Sequence, residues 1–279
     1  MIKITGNSAA SSIHLGGGVG IQISNPIPAA RFLVTTTGAQ TLTLNSFGGS
    51  REIVVSWGDG SSSSYAGTAL RTHNYAGAGT WTVTISDPLA VTVFDVRDNK
   101  ITLNSADIMS LTNVETFIAI ALKAGTFSSA DVSAWRPTNF QLSSMPAGFG
   151  GTFSSADVSA WRPTYFYLYS MPAGYVVTAG GGFAGWTTTN NFRVQGNALS
   201  QATVNAILWE LYQAAATPRT VTGGTINVGL SNSAPSGTFQ APASCPVTVA
   251  TPGKEVAHAL LNDGCAVGFN KWTTVTVTA

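Results

Sequence analysis

The sequence predicts a mainly β protein in which a small sandwich of short strands precedes an irregular stack of repeated units with a few short helices. Apolar and polar residues alternate with a period of two between turn-forming residues in the first third of the chain. Further along, the fourteen residues GTFSSADVSAWRPT occur at 125–138 and again at 151–164. Charged residues make up only 9% of the chain, a composition that favours strands and tight turns over solvated helices.

Composition also limits the possible partners. The net charge is +1 and the Lys and Arg residues are scattered, so no basic stripe is available for nucleic acid. A surface with few charges gives little repulsion between copies and suits a protein packed among copies of itself and other proteins in an assembly. The chain has no apolar run of about 18 residues, and its N-terminus lacks the apolar core of a secretory signal. We therefore expect a soluble chain without a leader and without membrane insertion.

The first ninety residues divide into two parts. Residues 1–30 are rich in Gly and Ser and are broken at Asn25-Pro26-Ile27-Pro28, as expected for an N-terminal arm or attachment segment. Residues 31–90 contain several short alternating runs that are predicted to form a β-sandwich; they include Arg31–Val34, Thr41–Leu44, Glu52–Trp57 and Thr80–Ile85.

Two motifs in this sandwich resemble the PKD family of immunoglobulin-like domains. One is Trp57-Gly58-Asp59-Gly60-Ser61, and the other runs from His73-Asn74-Tyr75 to Gly79-Thr80-Trp81-Thr82-Val83. The Asp-Gly pair suits a turn, because Gly accepts a positive φ and Asp bonds the backbone two residues on. The family's W-D-F before the turn is only partly kept, as Val55-Ser56-Trp57. The resemblance implies a spacer or contact module rather than a catalyst.

Residues 91–240 contain six segments in which an apolar residue, usually Phe, is followed by a variable residue and usually a second apolar one. Their successive offsets are 23, 23, 26, 26 and 34 residues, and they are Phe94–Val96, Phe117–Ala119, Phe140–Leu142, Phe166–Leu168, Phe192–Val194 and Ile226–Val228. The first four offsets fall in the range of leucine-rich repeats, and an inserted helix lengthens the last.

Two of these segments continue as in a leucine-rich repeat, with Asn99 and Asn197 at matching positions. A buried amide there can bond the backbone where the strand turns away. In the middle units Met145-Pro146 and Met171-Pro172 stand near that place. The segments therefore resemble an irregular leucine-rich-repeat solenoid, which implies stacked coils that present one face to a partner.

A helix and a cap are predicted to close the stack. Ser200 is a suitable N-cap for a helix that carries Val204, Ile207, Leu208 and Leu211 on one face. Residues 241–279 contain a helical run at Glu255–Leu261 and a last strand at Trp272–Thr278, and they supply the C-terminal cap that a repeat stack needs. Cys245 and Cys265 lie in this region. They form either one disulfide or two buried thiols.

Catalytic and metal-binding patterns are weak. His14, His73 and His258 occupy unlike contexts, and no nucleophile elbow, phosphate loop, dinucleotide fingerprint or zinc spacing is present. We therefore predict no cofactor, no metal and no catalytic residue. The identically placed Asp131 and Asp157 are the pair most worth testing as glycosidase carboxylates, at roughly 5 Å if the units stack like strands. The favoured interpretation is that each caps the backbone of its own unit.

The candidate ligand-binding residues are four tyrosines that crowd one repeat: Tyr165, Tyr167, Tyr169 and Tyr175. Alternate residues of a strand face opposite sides, so Tyr167 and Tyr169 are expected opposite Phe166 and Leu168. Such a cluster suits stacking on sugars or contact with a protein, and the alternative is burial against a symmetry mate or another domain.

The C-terminal runs Gly223–Val228 and Asn232–Gly237, with the ending Lys271–Val275, resemble the repeat-and-cap ending of bacteriophage tail-associated proteins. The expectation is a non-enzymatic virion structural protein, in a tail fibre or baseplate, assembled in the host cytoplasm and presented to a host-surface glycan or protein. The alternatives are a capsid decoration protein, a bacterial cell-surface adhesin in an extracellular location, and an enzyme that degrades polysaccharide.

Overall fold

The structure is a computed structural model. It describes the backbone of residues 12–15 and 19–22 and all of residues 27–216, 219–244, 246–249, 252–262 and 271–277. In these ranges the strands are β1 (Ser12–Leu15), β2 (Val19–Gln22), β3 (Ala30–Thr37), β4 (Gln40–Gly49), β5 (Ile53–Ser56), β6 (Ser62–Tyr65), β7 (Ala69–Tyr75), β8 (Ala78–Ile85), β9 (Val91–Val96), β10 (Ile101–Asn104), β11 (Thr116–Ile120), β12 (Ala124–Ser128), β13 (Asn139–Ser143), β14 (Gly150–Ser154), β15 (Tyr165–Tyr169), β16 (Val176–Thr178), β17 (Asn191–Arg193), β18 (Thr225–Asn227) and β19 (Thr274–Thr276).

Helices are few. The α-helices of the described part are α1 (Ser105–Ile108), α2 (Gln201–Ala216) and α3 (Gly253–Leu261), and 3-10 turns cover Pro88–Ala90, Ser155–Val158 and Gly182–Gly185. The predicted N-cap of α2 is confirmed, since the Ser200 hydroxyl accepts a hydrogen bond from the backbone N–H of Thr203 at 3.2 Å. The face of α2 that was predicted to be apolar is buried.

Two mixed sheets hold nearly all of the strands. The eight-stranded sheet has the order β16-β14-β12-β10-β3-β8-β5-β6, and the nine-stranded sheet has the order β19-β18-β17-β15-β13-β11-β9-β4-β7. From β9 onward the neighbouring strands are parallel, whereas the strands before β9 pair antiparallel. After β10 the chain alternates between the two sheets, one strand in each, until β17.

The prediction of a mainly β protein is confirmed, but the two named architectures are not. The structure shows no solenoid, because the parallel strands share both of their sheets with antiparallel strands from residues 30–85. For the same reason the strands of residues 31–90 are not closed into a sandwich of their own. β3, β5, β6 and β8 lie in the eight-stranded sheet, while β4 and β7 lie in the nine-stranded one.

A continuous aromatic core lies between the sheets. The rings of Phe117, Phe140 and Phe166 in the nine-stranded sheet contact those of Phe127 and Phe153 in the eight-stranded sheet, with centroids 5.2–6.0 Å apart. All five rings are fully buried. Burial of such rings is the main favourable term in folding, because each removes a large apolar area from water.

The C-terminal region extends the nine-stranded sheet as well as covering it. β19 pairs in parallel with β18, so that Val275 lies opposite Ile226. The predicted helical run is confirmed as α3, which contacts α2 and β19. The last strand was predicted only as part of a cap. Its place in the sheet adds Val275 to the row of register-paired apolar residues that runs through the six segments.

Candidate ligand-binding face

The inner side of the nine-stranded sheet carries a ladder of stacked phenylalanines. Successive rings of the ladder are 6.0, 5.5, 5.5 and 5.3 Å apart, and its members are Phe94, Phe117, Phe140, Phe166 and Phe192. Each of these residues is the register partner of the next. Ile226 of the sixth segment is in turn the register partner of Phe192. The six segments predicted from the sequence are thus paired in register, and this register determines which residues of each strand face outward.

The two copies of the duplicated segment lead into β13 and β15, which pair in parallel. On the inner side both strands carry the same residues, since Phe140 pairs with Phe166 and Leu142 with Leu168. On the outer side every residue differs between the strands, and each outer residue of β15 is a tyrosine. The outer pairs are Asn139 with Tyr165, Gln141 with Tyr167 and Ser143 with Tyr169.

We call the outer side chains of β15, together with Arg193 of β17, the tyrosine face. Tyr165 is 40% exposed, and Tyr167 and Tyr169 are half-buried. Their rings form a row, with centroids 6.3 Å apart between Tyr165 and Tyr167 and 6.5 Å between Tyr167 and Tyr169. Partial burial raises the pKa of Tyr167, and the neighbouring tyrosines raise it further. The positive charge of Arg193 lowers that pKa but offsets only part of the rise. The phenol of Tyr167 therefore remains protonated and can donate a hydrogen bond.

Arg193 lies beside this row. It is the register partner of Tyr167, and its guanidinium carbon lies 5.1 Å from the centre of the Tyr167 ring, a cation–π contact. Among the described residues it has no carboxylate within ion-pair distance. Arg97, the residue after β9, differs because it pairs with Asp95 through two hydrogen bonds of 2.8 Å.

The row of tyrosines is held at its other end by the neighbouring strand. The Gln141 amide donates a hydrogen bond to the Tyr169 hydroxyl at 3.2 Å and another to the Ser143 hydroxyl at 3.1 Å. Tyr169 thus has a fixed orientation, while Tyr165 projects furthest into solvent.

Tyr175 does not belong to this face, so its predicted place with the other three tyrosines is wrong. It follows the turn after β15 and is 5% exposed. Its hydroxyl donates a hydrogen bond to the carbonyl oxygen of Phe127 at 3.2 Å, and burial raises its pKa. Phe149 stands at the corresponding place of the first copy and contacts its ring at 6.3 Å. Position 175 is therefore part of the core, and the closeness of the four tyrosines in the sequence did not indicate this.

Asp131 and Asp157 belong to a ladder of buried serines. The Ser129 hydroxyl donates to Asp157 at 2.6 Å and accepts from the backbone N–H of Ser154 at 2.8 Å. Ser105 makes the same two bonds, to Asp131 and from Ser128. The prediction that each Asp caps its own unit is therefore corrected, because each one bonds the serine of the preceding unit. Serine donors on both carboxylates suit a structural role.

A second polar cluster occupies the turn that resembles the PKD motif. The Asp59 carboxylate contacts His73 Nε2 at 2.7 Å and accepts hydrogen bonds from the Ser61 N–H and hydroxyl. The His73 ring stacks on Trp57 with centroids 4.6 Å apart and an interplanar angle of 2°. Burial raises the pKa of Asp59, but the bonds from Ser61 and His73 outweigh it and bring that pKa to about 2. His73 is thus hydrogen-bonded to this turn and stacked on Trp57.

The turns at the ends of the strands are bonded by buried polar side chains. Asn197 donates to the carbonyl oxygens of Leu168 and Val194 and accepts from the N–H of Met171, so its predicted role in the backbone is confirmed. Asn99 is exposed. In its unit the backbone is bonded by Asp98 instead, which accepts hydrogen bonds from the N–H groups of Thr43 and Lys100. The prediction for Asn99 is therefore one residue out of place.

The remaining candidates are separate from the tyrosine face. His258 lies in α3, with its ring 5.2 Å from that of Phe239. The side chain of His14, together with Cys245 and Cys265, lies outside the described residues. An open cleft of about 500 Å³ next to α1 is lined by apolar residues that include Ile27, Leu89 and Met109, with Asp131 at its side.

Further observations bear on the class of protein. Among the described residues no group of three or more His, Cys, Asp or Glu side chains is placed to hold a metal ion. None of the helices in the described ranges has the length and apolar character needed to cross a bilayer. Comparisons of the chain with protein-family models, curated proteins and solved structures found no match.

Arg193 is the residue of this face that sequence reasoning missed. A signal was present, because Arg193 is the variable residue of Phe192-Arg193-Val194, and Tyr167 is the variable residue of Phe166-Tyr167-Leu168. Aligning the variable residues of the six segments would have placed the two side by side. The tyrosines were predicted because they lie at alternate positions of one short segment, whereas Arg193 lies in another segment.

Proposed function

We propose that the protein is a non-enzymatic structural protein of a bacteriophage virion, in a tail fibre or baseplate, that binds a host-surface saccharide through the tyrosine face. The single observation that carries the binding role is the difference between β13 and β15. Their inner residues are the same, whereas all three outer pairs differ and become tyrosine on β15. The three outer tyrosines do not belong to the buried core, so we infer that binding, and not packing of the core, accounts for their presence.

The chemistry of the face suits a saccharide. Tyrosine rings stack on the apolar faces of sugar rings, and their hydroxyls bond sugar hydroxyls. Three rings in a row, each about 6.4 Å from the next, form a strip for a chain of sugar units rather than a closed pocket for one small molecule. A face set on a strand between two paired strands is also rigid, which limits the entropy lost on binding.

The virion location rests on the resemblance of the sequence to phage tail-associated proteins and on the low charge of the chain. A protein with 9% charged residues suits close packing with copies of itself and other virion proteins. Electron microscopy of the native assembly, with an antibody against this chain, should locate it at a tail fibre or baseplate. Recovery of the protein only as a free monomer, outside any particle, would contradict this part of the proposal.

The binding role can be tested with a variant that the fold already accommodates. The triple variant Tyr165→Asn, Tyr167→Gln, Tyr169→Ser gives β15 the outer residues of β13. We expect it to fold and to lose binding to an array of bacterial surface glycans at least tenfold, since each stacked ring contributes about 1 kcal/mol or more. Unchanged binding would contradict the assignment of the face.

A single substitution on the neighbouring strand is the matched control. Asn139→Tyr adds a tyrosine beside Tyr165 at a half-buried outer position of β13 and keeps Gln141, whose amide donates a hydrogen bond to the Tyr169 hydroxyl. It should retain binding, and the added ring should increase the affinity for long glycans. A loss of binding in this variant, at wild-type stability, would mean that Asn139 and not the tyrosines of β15 makes the contact.

A further inference from the structure

We propose that the tyrosine face selects a saccharide that bears a carboxylate, and that Arg193 is the residue that recognises it. The inference rests on the proposed saccharide-binding function and adds the class of sugar, namely uronic or sialic acids. It is carried by the charge of the face and by the position of one guanidinium, neither of which is needed for the stacking argument.

The charges of the sheet are unevenly distributed. The outer positions of β13, β15, β17 and β18 carry no Asp or Glu; they are Asn139, Gln141, Ser143, Tyr165, Tyr167, Tyr169, Asn191, Arg193, Thr225 and Asn227. Arg193 is in register with Tyr167, Gln141, Ile118 and Asp95 on successive strands. Asp95 on β9 is the first acidic residue in that row, and it already pairs with Arg97. Arg193 is therefore the one charge on these four strands, and it lacks an acidic partner in the described part of the chain.

The guanidinium is also held in place for a planar anion. Its stacking over the Tyr167 ring at 5.1 Å restricts the long side chain, which is half-buried, so little side-chain entropy remains to be lost. A carboxylate can accept two parallel hydrogen bonds from a guanidinium, a geometry that a hydroxyl cannot match. A sugar ring stacked on Tyr165 or Tyr167 would place a ring substituent beside Arg193.

Neighbouring amides complete a set of hydrogen-bonding groups. Asn191 is the register partner of Tyr165, and Asn227 is the register partner of Arg193. Both side chains are half-buried on the outer side. Amides donate and accept, which suits sugar hydroxyls. The face therefore offers rings for stacking, amides for hydroxyls and a single cation for a carboxylate.

The test compares each acidic oligosaccharide with its own carboxyl-reduced form, in which the acid has become an alcohol. The probes are oligomers of glucuronic and galacturonic acid and sialyllactose, with sulfated oligosaccharides as a third arm. The proteins are the full chain, Arg193→Gln, Arg193→Lys, and Lys123→Gln as a charge-matched control at an exposed residue of another loop. A thermal melt of each variant confirms that it is folded.

The expected result is that the wild type binds at least one acidic probe about tenfold or more tightly than its reduced form. Arg193→Gln should abolish that difference, so that the acidic probe binds no more tightly than its own reduced form. Arg193→Lys should restore only part of it, because an ammonium lacks the two parallel donors. Lys123→Gln should bind as the wild type does.

Other outcomes overturn one proposal or both. Equal binding of acidic and reduced forms, or a preference retained in Arg193→Gln, overturns the role of Arg193 and leaves saccharide binding intact. Preference for the sulfated arm overturns the assignment to carboxylates. Binding of no probe by the wild type overturns both proposals, and self-association that is lost in Tyr167→Ala would then identify the face as a contact between copies.

Discussion

The carboxylate of Glu210 in α2 accepts a hydrogen bond from the hydroxyl of Ser155, 2.9 Å away, and so ends the ladder of serines. In the two earlier steps the acceptor is an aspartate of the next unit. In the unit after Ser155 its neighbours are Gly180 and Gly182, whose N–H groups bond the Ser155 hydroxyl and which carry no carboxylate. A Cβ on Gly182 would lie 1.7 Å from the Ser155 carbonyl oxygen, so a side chain cannot replace this glycine. The helix supplies the missing acceptor from outside the repeat.

Glu210→Ala is expected to lower the free energy of unfolding by about 2–4 kcal/mol. Glu210 also accepts hydrogen bonds from the N–H groups of Gly181 and Phe183, at 2.7 and 3.0 Å. Removal of the carboxylate would leave three donors unpaired at a site where Glu210 itself is 4% exposed. Urea unfolding measures the change, with the exposed Gln213→Ala in the same helix as control. Equal effects of the two substitutions would contradict this role.

Asp131→Asn and Asp157→Asn should each lower the free energy of unfolding by about 1 kcal/mol and leave glycan binding unchanged. Each amide retains one acceptor oxygen for its serine but loses the charge that strengthens the bond. Denaturant unfolding and the glycan array measure the two quantities on the same samples. If the wild type releases reducing sugar from a bound glycan and either variant does not, the structural role of these carboxylates is wrong.

Much of the strand pattern follows from short-range sequence features, because period-two alternation and the six apolar segments are both local patterns. The segments that form the Phe ladder and the N-cap at Ser200 could be predicted for that reason. The partners of Glu210 were not, since Ser155 is 55 residues away. The shift from Asn99 to Asp98 depended on the N–H of Thr43, on a strand that only the folded sheet brings close.

The candidate site was predictable in part. The tyrosines of β15 follow from alternation within one strand, so Tyr165, Tyr167 and Tyr169 could be assigned to one side. Tyr175 comes after a turn, where alternation no longer applies, and its burial depends on space left between the sheets. Arg193 is 26 residues from Tyr167 and becomes its neighbour only through the parallel register.

Phe140→Ala should lower the free energy of unfolding by about 3–5 kcal/mol. The ring is fully buried and lies within 5.5 Å of the rings of both Phe117 and Phe166. Phe140→Leu should cost less, because it keeps much of the buried area. Chemical denaturation followed by tryptophan fluorescence gives the comparison. The exposed Phe239→Ala is the control, and a similar loss there would argue against a special role for the ladder.

Asp59→Asn is expected to make stability less dependent on pH in acid. The pKa of Asp59 is lowered from 3.8 to about 2 in the folded chain, so its contribution is fully present above the unfolded value and is lost as pH falls toward 2. At pH 7 the variant should be less stable by about 1 kcal/mol, since hydrogen bonds from Ser61 and His73 lose their charged acceptor. Between pH 4 and 2 the difference from wild type should shrink. Urea unfolding across pH 2–7 measures it, with the exposed Glu52→Gln as control. A difference that stays constant down to pH 2 would show that the carboxylate charge does not stabilise this turn.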